Sequence, residues 1–97
     1  MNEKYIQELR DAIRQTHGCA SRYAQAVPIK EEFNGETVWD GNVEVFDLAG
    51  HPTARQCYAW GFKDDWGRWQ YVAVLKLSPV DSPRKAVQAY IVSRQKP

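Results

Sequence analysis

Cys57-Tyr58-Ala59-Trp60-Gly61-Phe62-Lys63 and Arg68-Trp69-Gln70-Tyr71-Val72-Ala73-Val74, joined by Asp64-Asp65-Trp66-Gly67, decide the fold. Both flanks are rich in aromatic and β-branched residues, which suit a pleated, half-buried surface. A short polar segment containing Gly separates them, so the stretch predicts two strands joined as a hairpin. Alternate residues of a strand point the same way. With Lys63 opposite Arg68, Phe62 faces Trp69, Trp60 faces Tyr71 and Tyr58 faces Ala73. Tyr58, Trp60, Phe62, Trp69 and Tyr71 then share one face of the sheet. Cys57, Ala59, Gly61, Val72 and Val74 make up the other.

Working outward, residues 36–47 read as the preceding strand, with Trp39, Val43 and Val45 on one side and Asp40, Asn42 and Glu44 on the other. Asn34-Gly35 before it is a strong hairpin signal, since both residues accept positive φ. The first strand is read from Ala24 to Phe33, and Pro28 places it at a sheet edge because proline has no N–H for a ladder. The third strand is expected over about 54–62 and the fourth over 68–77. Residues 2–16 carry Tyr5, Ile6, Leu9, Ala12, Ile13 and Thr16 at helical spacing, with Asn2 as the cap and Gly18 as the stop. Ser82 and Pro83 open a last helix, whose inner stripe is Ala86, Val87, Tyr90 and Ile91. The expectation is a single α+β domain over 1–97: an N-terminal helix, a four-stranded antiparallel meander and a C-terminal helix. Both helices are expected on one face of the sheet.

The chain has 97 residues, of which 43% are hydrophobic and 26% charged, a globular balance that argues against disorder and fibrous classes. A net charge of +1 argues against a bulk electrostatic grip on nucleic acid or an anionic membrane. No apolar run approaches the ~20 residues of a membrane helix, and the charged start Met1-Asn2-Glu3-Lys4 does not read as a signal peptide. Two cysteines, Cys19 and Cys57, fit a reducing, cytoplasmic setting better than a secreted one.

Candidate chemistry is sparse. His17, Cys19, His51 and Cys57 lack the compact ligand pairs of a zinc site, so no metal is expected. A Cys–His nucleophile would need an orienting group and an oxyanion site that no neighbouring sequence provides. Asp40, Glu44 and Asp47 read as the solvated charge of a strand. No catalytic residue and no cofactor are expected. The order of elements resembles that of the double-stranded RNA-binding domain, with a basic pair, Arg84-Lys85, at the start of the last helix. The likeness is one of order alone, with four strands where that domain has three.

What remains is the aromatic hairpin. If the helices lie on the small-residue face, the rings of Tyr58, Trp60, Phe62, Trp69 and Tyr71 line the open one, with Trp66 at its end. Each offers ~150–250 Å², and soluble monomers seldom expose a continuous apolar patch beyond a few hundred Å². The competing assignment turns the rings inward and leaves Cys57, Ala59, Val72 and Val74 outside. On the first, the chain is a non-enzymatic interaction domain that binds a second copy of itself or another protein through these rings. The alternative is single-stranded or structured nucleic acid, with bases stacked on the same rings and Arg55, Lys63, Arg68 and Lys76 on phosphates.

Overall fold

The structure is a computed structural model that describes residues 3–94. Its elements run α1 (Glu3–His17), β1 (Ala20–Phe33), β2 (Glu36–Ala49), β3 (Gln56–Lys63), β4 (Trp69–Leu75) and α2 (Pro83–Arg94). The strands form one antiparallel sheet in the order β1-β2-β3-β4, the expected meander, and β1 with Pro28 lies at its edge. The Asn2 cap falls outside the described residues. Gly18 ends α1 at φ 72°, and its N–H donates to the Arg14 carbonyl at 2.8 Å. Asn34 and Gly35 both take positive φ, 53° and 78°, and turn β1 into β2. At α2, the Ser82 hydroxyl accepts the Lys85 N–H at 3.2 Å, while Pro83 occupies the first helical position.

The helices pack on the sheet from opposite sides, which corrects the expectation of one shared face. Leu9 and Ile13 of α1 are buried with Phe46, Cys57 and Ala59. Ala86 and Val87 of α2 are buried with Val43, Val45, Tyr58 and Trp60. The cause is visible in the sequence of β3, where both parities are apolar: a sheet greasy on two faces needs a cover on each.

The decisive difference lies in the β3–β4 register. Lys63 pairs with Trp69 rather than Arg68, so Phe62 meets Gln70, Gly61 meets Tyr71 and Trp60 meets Val72. The loop sets this. The Asp64 N–H donates to the Arg68 carbonyl at 2.8 Å, and the Asp64 carboxylate accepts the N–H groups of Trp66 and Arg68, each at 2.9 Å. Arg68 thereby closes the loop instead of opening the strand. A slip of one residue moves every side chain of β4 to the other face.

A second irregularity serves the same end. Ala24 is an extra residue in β1 between the pairs Tyr23↔Phe46 and Gln25↔Val45. This bulge changes the parity of the strand. Tyr23 therefore packs with the α1 core, and Val27 and Ile29 with the α2 core.

The sheet is also incomplete. β2 pairs with β3 over Asp47↔Gln56 to Glu44↔Ala59 and no further. Beyond that point β1 and β2 continue as a two-stranded ribbon to the Asn34-Gly35 turn. α2 holds the ribbon through an Arg84–Glu31 ion pair and a Gln88 amide that donates to Glu31 at 2.8 Å.

Candidate interaction site

The new register separates the rings that sequence reasoning had grouped. Tyr58 and Trp60 lie under α2, each 2% exposed. Trp60 meets Trp39 and Tyr90 edge-on, at centroid distances of 5.5 and 5.4 Å. Phe62 follows on the same face but is only half-buried, 5.9 Å from Tyr90. Trp69 and Tyr71 lie on the α1 face, stacked at 6.4 Å, and Trp69 stands 6.3 Å from Tyr5. Lys63 reaches over the Trp69 ring at 5.9 Å. The open sheet face lined by five aromatics does not exist, because α2 covers one group of rings and the other sits beside α1.

The four candidate phosphate contacts divide as well. Lys63 and Arg68 flank the β3–β4 loop. Arg55 and Lys76 stand at the far end of the same hairpin, where the Lys76 N–H donates to the Gln56 carbonyl at 2.9 Å. Eight residue steps along each strand, roughly 26 Å, separate the pairs.

A different group of residues gathers at the loop end of the molecule. A groove of about 670 Å³ runs between α2, the ribbon and the β3–β4 loop. Trp39, Phe62, Trp66 and Tyr90 wall it, together with Val38 and Ile91. A second groove of about 250 Å³ adjoins it, sharing Val38 and Ile91 and adding Phe33 and Val92. Trp66 is 80% exposed, Val92 68% and Phe33 63%. Of the predicted site residues, Phe62, Trp66, Lys63 and Arg68 meet here.

The loop presenting Trp66 is held by Asp64. The backbone N–H of Arg68, the Gln70 amide and the Trp66 N–H all donate to its carboxylate and keep its pKa below the usual range. The Arg68 side chain adds an ion pair at 3.6 Å. On the α2 side, the Arg94 guanidinium stacks over Phe62 at 5.7 Å and Tyr90 at 5.5 Å. Arg94 makes no ion pair among the described residues. The larger groove is rimmed by Lys63, Arg68 and Arg94 together with Asp64 and Asp65, and the smaller by Glu31 and Glu32, which pair with Arg84 and Lys30.

No family model, curated protein or solved structure matches the chain. Among the described residues no helix is long and apolar enough to cross a membrane.

Sequence reasoning missed Phe33, Val38 and Val92. The signal was present in two of them: Val92 falls off the inner stripe of α2, and Phe33 borders the Asn34-Gly35 turn. Apolar residues placed where the pattern predicts solvent are the trace of such a surface. Asp47 and Asp40 are partly or well exposed, as expected of strand charge, but Glu44 is not. It lies 7% exposed and accepts the Tyr23 hydroxyl at 2.9 Å.

The remaining candidate ligands are structural. His17 Nε2 lies 3.0 Å from the Ala73 carbonyl, and His51 Nδ1 accepts the N–H groups of Thr53 and Ala54. Cys19 and Cys57 are free thiols in the α1 core. Among the described residues no three His, Cys, Asp or Glu side chains converge as a metal site. Burial, and then the neighbouring Cys19, pushes the Cys57 thiol up to about 12. Cys57 in the folded protein should therefore resist a thiol reagent at mildly alkaline pH and react fully once denaturant is added. Mass spectrometry of the labelled protein checks this; prompt labelling of Cys57 without denaturant would contradict its burial.

Proposed function

We propose that the chain is a small non-enzymatic interaction domain that pairs with a second copy of itself through the loop end of the molecule. One observation carries this reading. Among the described residues, Phe33, Val38, Trp66 and Val92 are four of the six exposed large hydrophobic side chains, and all line the two adjoining grooves. Leaving such a surface in water costs roughly 25 cal/mol per Å², and monomers seldom keep one. A two-fold axis satisfies a self-complementary patch. An axis near Val38 and Ile91, which both grooves share, lays the exposed apolar side chains of one copy against those of the other. The free buried thiols support a reducing, cytoplasmic setting for this domain.

Light scattering across a concentration series at two salt levels tests the proposal. The wild type is expected to move from monomer to dimer, with little response to salt. Val92→Glu, at an exposed helix position, is expected to remain monomeric with an unchanged melting temperature. A wild type that stays monomeric at every concentration overturns the reading. Binding of a labelled oligonucleotide that falls steeply with salt would place nucleic acid at Phe62, Trp66 and the three cations instead.

A further inference from the structure

Where β2 and β3 part beyond Glu44↔Ala59, they leave a cleft of about 300 Å³ within the sheet. Its lining is chemically one-sided. Four rings contribute, those of Tyr5, Trp39, Trp60 and Phe62, together with the carboxylates of Asp40 and Glu44. Among the described residues no Lys, Arg or His lines it. We propose that this cleft is a binding site for a small organic ammonium ion.

Two features support the assignment. Aromatic faces attract cations through the ring quadrupole, and methylated ammonium groups are recognised by cages of such rings. Glu44 is only 7% exposed and accepts one neutral donor, the Tyr23 hydroxyl at 2.9 Å, yet makes no ion pair among the described residues. A carboxylate taken out of water is unfavourable unless a positive charge accompanies it.

The backbone is shaped to keep the rings close. A Cβ on Gly61 would approach the Tyr5 ring to 3.0 Å and the Tyr71 ring to 3.1 Å, so the small residue lets both lie against β3. The Gly61 N–H, left without a β2 partner by the parting of the strands, donates to the Tyr5 hydroxyl at 2.7 Å. Trp39 lies over Gly41 on the opposite side, where a Cβ would stand 3.4 Å from its ring. α1 and the ribbon thus close the cleft from two directions around an acidic, aromatic interior.

Choline chloride is the probe, with 3,3-dimethylbutanol as its uncharged isostere. The indole N–H resonances of Trp39 and Trp60 are followed by NMR, together with intrinsic fluorescence. Choline is expected to move both resonances saturably, and the isostere to move neither. Glu44→Gln is expected to weaken choline roughly tenfold or more, the loss of one close charge partner. The exposed Asp40→Asn is expected to weaken it by a smaller factor without changing the melting temperature, which covers the case in which Glu44→Gln does not fold. The measurement is made on both wild type and the Val92→Glu chain, so that loss of self-association does not bear on the answer. No saturable shift with choline, equal binding of the isostere, or an unchanged dissociation constant in both carboxylate variants would each overturn the proposal.

Discussion

Trp60→Ala is expected to remove a large part of the stability of the folded domain, and Trp66→Ala almost none of it. The two tryptophans lie six residues apart but differ in everything that determines stability. Trp60 is 2% exposed and packed between the sheet and α2, with Trp39 and Tyr90 edge-on to its ring. Truncation empties a space that Val43, Val45 and Val87 on the same face cannot fill without moving. Large-to-small changes of this kind typically cost about 3–5 kcal/mol. A domain of this length has roughly 5–15 kcal/mol in total. Among the described residues Trp60 Nε1 has no acceptor, so the cost is one of packing. Trp66 stands at a loop tip, 80% exposed, where substitutions usually fall within about 0.5 kcal/mol. Urea titration of both variants measures the difference. A Trp60→Ala midpoint close to that of wild type would mean that α2 does not cover this face. Trp66→Ala should instead show its effect in the concentration series that reads self-association.

Alkaline pH should unfold the domain well before the backbone or the surface charges would require it. Cys57 has its thiol pushed up to about 12 by burial, against about 8.5 for a thiol in an unfolded chain. The unfolded state therefore gives up its proton first as the pH rises. Between about pH 8.5 and 12 the folded state binds more protons than the unfolded one, so stability falls with rising pH. Below that window the contribution is fully present. Through the window Cys57 alone removes on the order of 5 kcal/mol. Tyr5, Tyr23, Tyr58 and Tyr71 act in the same direction from about pH 10, since burial raises each of them above its ordinary value. Melting temperatures measured from neutral pH upward should decline steeply past about pH 9. Cys57→Ala should flatten the first part of that decline. A level profile, or one that Cys57→Ala leaves unaltered, would show that the thiol ionises without unfolding the core.

The rings that the sequence grouped around one sheet face belong to two separate environments, and the reason is local. Whether Asp64-Asp65-Trp66-Gly67 closes as a four-residue connection or takes Arg68 as a fifth residue depends on where the Asp64 carboxylate bonds. Asp64 accepts from Trp66, Arg68 and Gln70, and this network selects the longer loop. Nothing in the alternation of β4 distinguishes the two choices, because Trp69, Tyr71 and Ala73 are as apolar as Val72 and Val74. A strand with a polar parity would have made the register legible. The exposed apolar surface at the loop end was only partly legible for a related reason: Phe33, Val38 and Val92 come from three separate elements and meet only when α2 lies along the ribbon.

From its residues alone this chain is an α+β meander between two helices. Amphipathic spacing at α1, the Asn34-Gly35 turn, the edge proline in β1 and the Ser82-Pro83 start of α2 each act within a few residues, where propensity and hydrogen bonding decide the outcome. Tertiary structure decided which helix covers which face, where β2 and β3 separate, and that Glu44 is buried rather than solvated. Those outcomes depend on contacts between segments tens of residues apart, and a strand apolar on both sides carries no local preference for either cover.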